Sequence, residues 1–252
     1  MSQLFQTKAT PEVIQYLHTK GIIAYNLLGA IEHIADLQLY TDNPENPTGI
    51  LGKEDYFMYI VTESLTFVDW VLETFCHKDG YYGFSGLRQD LADYILEKGL
   101  TLDWRNDCYL YYLPDTVSLP AADPRVESIP LDAAEEINTY YEYQHEESLA
   151  EIQEDLLKRP SSCITINGER ASWALVHRDN TMGIMYTKEA YRQQQLAVLV
   201  CNDLMHKVRQ LGKIPYVQIL TSNTPSQRLA AKVGMVQAEA VVAWFGIIKG
   251  NV

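Results

Sequence analysis

The residues best suited to chemistry are Arg192-Gln193-Gln194-Gln195-Leu196-Ala197. They stand between an apolar segment, Met182–Thr187, and a run in which Leu196, Leu199, Val200, Leu204, Val208 and Leu211 recur at helical spacing and stop at Gly212. The spacing predicts a strand, a short loop and a helix. Such a junction aims unpaired backbone N–H groups and the positive end of a helix dipole at one place, which favours an anion. Arg192 adds a cation, and no acid follows until Asp203. The ligand implied bears phosphate, with the N–H groups of Gln193, Gln194, Gln195, Leu196 and Ala197 as donors.

Other residues near this junction have side chains that handle protons or polar ligands. His177 closes a predicted strand and titrates near neutrality, although a lone histidine also serves structural roles. Tyr186 can donate to a developing negative charge if its ring turns inward. Asn223 and Ser226 suit polar ligand contacts, and equally suit a turn and a helix cap in Ser222-Asn223-Thr224-Pro225-Ser226. The four cysteines, Cys76, Cys108, Cys163 and Cys201, show no C-x-x-C pair and no metal-ligand spacing. They read as reduced core residues of a cytoplasmic protein, and no metal site is expected.

The elements that position this chemistry are legible in outline. Ile164–Asn167 and Ala171–His177 read as strands joined by Asn167-Gly168, a favoured hairpin turn. After the long helix come a strand at Tyr216–Leu220, a short helix at Ser226–Val233 closed by Gly234, and an apolar strand at Ala238–Ile248. Leu131–His145 and Glu147–Lys158 read as two acidic helices rich in tyrosine. Leu113–Pro130 has four prolines and little periodicity, so it reads as an extended linker between residues 1–113 and 131–252.

In the first part, Thr10-Pro11-Glu12 marks a helix start, with helices expected over 11–20 and 22–36. Strands are expected at Leu37–Thr41 and Tyr56–Thr62 with a turn between them. A helix near 64–77, a strand at Tyr81–Ser85, a helix at 87–98 and a strand at Cys108–Leu113 follow. Gly83-Phe84-Ser85-Gly86 reads as a tight strand-to-helix turn needing positive φ, or less simply as an anion nest.

The formal net charge of −13 argues against nucleic acid as the main partner. The charge is uneven. Residues 161–252 hold 10 Lys and Arg against 5 Asp and Glu, so the part with the phosphate loop is the basic part. The acidic remainder reads as solvated helix faces or as a surface for a partner or a second copy in a homodimer. The longest apolar run, Ala240–Ile248, is too short to span a bilayer, and no charged-then-apolar signal segment opens the chain.

Arg192-x-x-x-Leu196-Ala197, the Trp173 strand, Asn223 and Lys232-Val233-Gly234-Met235, in this order of elements, resemble the GNAT N-acetyltransferase superfamily over roughly Val126 to Ile248. The likeness is strongest to its glycine N-acyltransferase-like, FR47-like branch. In the family's loop pattern a glycine stands where this chain has Gln195. The resemblance implies an α/β (α+β) fold, a mixed sheet flanked by helices, and the element order of residues 1–113 implies a degenerate first copy in tandem. It implies acetyl-CoA or another acyl-CoA as donor, with pyrophosphate on residues 193–197 and pantetheine amides on the main chain of Met185, Tyr186 and Thr187.

The implied acceptor is a small primary amine, such as an amino acid, near the acidic helices after the linker. The family's tyrosine acid aligns with Ala230. An acidic base before the cofactor strand aligns near Thr181, with Asp179 two residues earlier as the candidate, although Asp179 also suits a turn cap in Arg178-Asp179-Asn180. These absences leave two alternatives beside the enzyme: a CoA-binding module without turnover, and an interaction protein.

Overall fold

The structure is a computed structural model that describes residues 4–250. The order of helices and strands runs twice along the chain. The first run is β1 (Phe5–Thr7), α1 (Pro11–Thr19), α2 (Tyr25–His33), β2 (Gln38–Thr41), β3 (Gly49–Glu54), β4 (Phe57–Thr62), α3 (Leu65–Phe75), β5 (Gly80–Arg88), α4 (Gln89–Glu97) and β6 (Thr101–Tyr112). The second is β7 (Val126–Glu127), α5 (Ala134–Thr139), α6 (Ser148–Lys158), β8 (Ser161–Ile166), β9 (Glu169–Val176), β10 (Met182–Thr187), α7 (Leu196–Gln210), β11 (Tyr216–Leu220), α8 (Thr224–Lys232) and β12 (Val236–Lys249). The tandem expectation therefore reappears as a repeat of element types, strand for strand and helix for helix.

The chain packs as two compact units that do not follow chain order. One holds residues 4–110, 219–222 and 238–250, and the other holds 111–218 and 223–237. Most of β12 thus lies with the N-terminal residues, not with the segment from 131 onward. In the first unit, β12 pairs antiparallel with β5, from Val242 opposite Arg88 to Lys249 opposite Gly80. Within this unit the strands run in the order β1-β2-β3-β4-β5-β12-β6. Its core includes Phe84 stacked on Phe245 at 4.6 Å, with Leu51, Met58, Phe67, Val71, Leu91 and Ile247.

Thr10 caps α1, its hydroxyl accepting from the Val13 N–H at 3.4 Å, and Pro11 opens the helix. The second expected helix is shorter than 22–36, because Gly21 at φ 60 starts a 3₁₀ turn over Gly21–Ala24. Strand β3 falls where a turn was expected. A Cβ on Gly49 would meet the Phe67 ring at 2.5 Å, and one on Gly52 would meet Leu27 at 2.5 Å. Both glycines let helices lie directly on the strand, and they also hide its pattern. Gly83-Phe84-Ser85-Gly86 belongs to the continuous strand β5, with Gly86 at φ 59 beside a register shift in β12.

In the second unit a four-stranded sheet has the order β10-β9-β8-β7. Asn167 and Gly168, both at positive φ, make the β8–β9 turn. Helix α7 lies on one face, burying Leu196, Val200, Leu204, Met205 and Val208. Helices α5 and α6 lie on the other, where Ile137 and Ile152 pack with Trp173 and Leu175. The expected helix over 131–145 is only a 3₁₀ turn, Leu131–Ala133, followed by the short α5.

The proline-rich stretch is tied down within this unit. Arg209 donates to the carbonyls of Val117 at 2.6 Å and Pro114 at 2.5 Å, and the His206 ring contacts the Pro120 carbonyl at 2.7 Å. All four cysteines are unpaired and buried.

Candidate functional site

The strand–loop–helix junction forms as β10, an eight-residue loop over 188–195, and α7. Among the described residues strand β10 is the edge of its sheet and pairs with β9. Its register shifts between Gly183 and Tyr186, and Ile184 sits at φ 42 within that bulge. A β-branched residue in this region is a strained outlier, and a bulge turns main-chain groups away from the ladder.

Across the loop Gln193 adopts φ 64 and Gln195, the N-cap of α7, adopts φ 62 and ψ 11. Gln195 thus holds the left-handed geometry that glycine would take without strain. Among the described residues no side chain caps α7. Arg192 at φ −66 and ψ 159 and Gln193 at φ 64 form a turn that uses the Gln194 N–H, and among the described residues the N–H groups of Gln193, Gln195, Leu196 and Ala197 meet no protein acceptor. Four donors therefore lie in the loop and first turn of a 15-residue helix, where the helix dipole favours negative charge.

A cleft of about 320 Å³ opens there, lined by Thr187, Tyr191, Arg192, Gln193, Gln195, Leu196, Ala197, Val198, Arg228, Leu229 and Lys232. Arg192 donates to the Thr187 carbonyl at 3.2 Å and pairs with exposed Glu189 at 3.2 Å. That surface pair is weak, so the guanidinium can turn to an incoming anion. Arg228 and Lys232 come from α8 and bring two more cations. Their i, i+4 spacing in a predicted helix of the basic part was the signal that would have found them. Gln194 is turned away, its side chain donating to the Ala190 carbonyl at 3.4 Å.

The remaining candidates lie at different places in the second unit. The Tyr186 ring packs 5.4 Å from Trp173 and 4.8 Å from Tyr140, on the α5–α6 face. Met185 points to the α7 face, where the Cys201 thiol meets its sulfur at 3.7 Å. The Thr187 hydroxyl pairs with Ser172 at 2.8 Å. Asn223 caps α8, its side-chain oxygen accepting from the Ser226 N–H at 3.2 Å. Asp179 is buried in its turn, accepting from the Thr181 N–H at 3.0 Å and from the Thr181 hydroxyl. Tyr216 donates to the Asp179 carbonyl at 2.6 Å.

One ionisable group nearby has a different setting. His177, at the end of β9, places Nδ1 3.0 Å from Oδ2 of Asp155 on α6. Asp155 is buried, and its other oxygen is held by Arg159. Burial works to lower the His177 pKa, but the hydrogen bond and charge of Asp155, with Asp179 and Glu151 behind it, raise it above its ordinary value. The nearby Tyr141 hydroxyl is pushed up to about 12 by burial and by Glu151.

Residues 165–244 match the model of the FR47-like protein family. The whole chain also superposes on solved structures. A Drosophila protein is similar with a TM-score of 0.78 at 13% identity, covering 100% of both chains. A tandem GNAT protein from the clavulanic acid biosynthesis pathway gives a TM-score of 0.58 at 10% identity, covering 99% of both chains. A GCN5-related N-acetyltransferase from Kribbella flavida gives 0.58 at 14% identity, covering 91% of this chain and 95% of its own. At such identities the likeness establishes the fold, a mixed α/β sheet architecture shared with a tandem member. No curated protein matches the chain in sequence.

Proposed function

We propose that the chain is a member of the GNAT superfamily, in its FR47-like branch, and an acyl-CoA-dependent N-acyltransferase. The donor in this proposal is acetyl-CoA, and the acceptor is a small primary amine such as an amino acid. One observation carries it: four N–H groups without a protein acceptor, those of Gln193, Gln195, Leu196 and Ala197, and three cations, Arg192, Arg228 and Lys232, line one cleft. That donor set fits a pyrophosphate with a further phosphate.

Residues 131–252 are then the coenzyme-binding copy, residues 1–113 a degenerate first copy, and 114–130 the connection between them. The N–H groups of Gln193, Gln195, Leu196 and Ala197, with Arg192, would hold the pyrophosphate. Exposed main chain on the edge strand at Met185, Tyr186 and Thr187 would hold the pantetheine amides. When bound, acetyl-CoA supplies an acyl group already activated as a thioester.

The α5–α6 side suits an amine that arrives as a cation, since Glu151, Asp155 and Asp179 surround one corner of it. A second proposal, binding without turnover, is favoured by Ala230 alone, which is buried and cannot act as an acid where the family has tyrosine.

The test is thermal melting with acetyl-CoA, free CoA and ATP, because a ligand of the folded state at about 1,000 times its Kd adds about 4 kcal/mol. A rise with acetyl-CoA and CoA but not ATP, followed by amine-dependent thiol release, supports the enzyme. A rise without release supports the binding module. No rise removes both.

A further inference from the structure

We propose that His177, held by Asp155, is the base that takes the proton from the acceptor amine. The assignment rests on the acyltransferase reading above and adds to it the group that Ala230 and the committed Asp179 do not provide.

Place along the edge strand comes first. The phosphate site lies beyond the C-terminal end of β10, and the pantetheine positions run back from Thr187 to Met185. The acyl end of an extended donor therefore lies toward Ile184 and Gly183, since a strand advances about 3.3 Å per residue. His177 lies at that point. A Cβ built on Gly183 would be 2.4 Å from His177 Nε2 and 2.5 Å from its Cδ2. The imidazole thus occupies the space of the missing side chain, with its Nε2 edge laid against β10. Gly183 is the residue that admits it.

The tautomer follows from the partner. Asp155 accepts from Arg159 and from His177, so neutral His177 keeps its proton on Nδ1 and Nε2 is the unprotonated nitrogen. The His177 side chain is 28% exposed, against 5% for Asp155, so the base is reachable while its orienting acid is not.

The charged groups acting on the ring are Asp155 and Glu151 from α6 and Asp179 from the adjoining turn, with Arg159 on the far oxygen of Asp155. The acids attract an ammonium ion, which at neutral pH has no free lone pair. In the step proposed, one ammonium N–H bond breaks, its electron pair stays on nitrogen, and the proton binds Nε2. Imidazolium then carries the charge, stabilised through Nδ1–H by Asp155.

The experiment uses the full chain and three readouts. Acetyl-CoA affinity is measured by calorimetry for wild type and His177→Gln. Amine-dependent thiol release is followed against pH for both. The His177 ring is titrated by NMR in the wild-type protein without cofactor.

The assignment expects unchanged affinity and a fall in turnover of about 100-fold or more. It also expects a wild-type rate that rises with pH at the NMR midpoint of His177, and loss of that limb in the variant. Turnover within threefold of wild type, or a limb that does not coincide with the His177 midpoint, overturns the assignment while leaving the acyltransferase standing. The coincidence of midpoints decides the matter even if His177→Gln folds poorly. Absence of any amine-dependent release by wild type overturns the acyltransferase reading itself, and the base with it.

Discussion

Replacing Gln195 with glycine should make the protein more stable and preserve or tighten coenzyme binding. Gln195 holds φ 62 and ψ 11. A residue with a Cβ pays about 1–2 kcal/mol for that conformation. Glycine removes the cost, but its freer unfolded chain returns about 0.4–1 kcal/mol. The net gain is about 0.5–1 kcal/mol, a rise of roughly 1–4 °C in Tm for a chain of this length. Among the described residues the Gln195 amide makes no cap to α7, so no helix-capping bond is lost. The donors that face an anion are backbone groups and remain. Gln195→Ala is the control, since it removes the amide but keeps the left-handed Cβ, and should show no comparable gain. Melting curves and calorimetric titration with CoA read both effects. A lower Tm for the glycine variant, an equal gain for alanine, or a marked loss of CoA affinity would refute the reasoning and give the glutamine side chain its own role.

Three further outcomes follow from the geometry. Arg192→Glu and Arg228→Glu should each weaken CoA binding, and the loss should shrink as salt rises, because each places an acid in the phosphate cleft; unchanged calorimetric affinity would misplace the loop. Gly183→Ala should destabilise the second unit by about 1–3 kcal/mol, because the new methyl would overlap the His177 ring; a shift in the His177 NMR signals with loss of Tm checks it. The raised His177 pKa makes its ion pair with Asp155 fully stabilising below the unfolded value, about 6.5, and progressively lost as pH rises through the folded value. The Tm difference between wild type and His177→Gln should therefore be larger at acid than at alkaline pH, and an equal difference at both would contradict the pairing.

Local signals carried most of the second half. Asn167-Gly168 fixed a hairpin, and the Met182–Thr187 and Tyr216–Leu220 strands occur with those bounds because apolar residues between turn formers leave little choice. The proposed phosphate loop was visible because an apolar strand and a helix of clear period flank a polar loop without an N-cap residue. Strand β3 was not, because Gly49 and Gly52 serve helices packed on it from elsewhere in the chain. The residence of β12 beside β5 has no local signature, since an apolar strand does not encode its partner. Asp155 and His177 are 22 residues apart, and only the packing of α6 on β9 makes them a pair.

The two runs of elements share an order but differ at the one junction that matters for an anion. Between β4 and α3 there are two residues, Glu63 and Ser64, where the second run has eight. Ser64 caps α3, its hydroxyl accepting from the Phe67 N–H at 3.2 Å, and Glu63 is paired with Lys20 at 2.9 Å. That helix start is closed by its own side chain and has fewer donors to offer. At α7 the cap is absent, the loop is long and strained at Gln193 and Gln195, and the flanking charges are basic. A helix end left unsatisfied costs stability unless something binds it. On the proposed reading the first run serves as scaffold and the second as the binding copy. The difference lies in loop length, cap and charge rather than in topology.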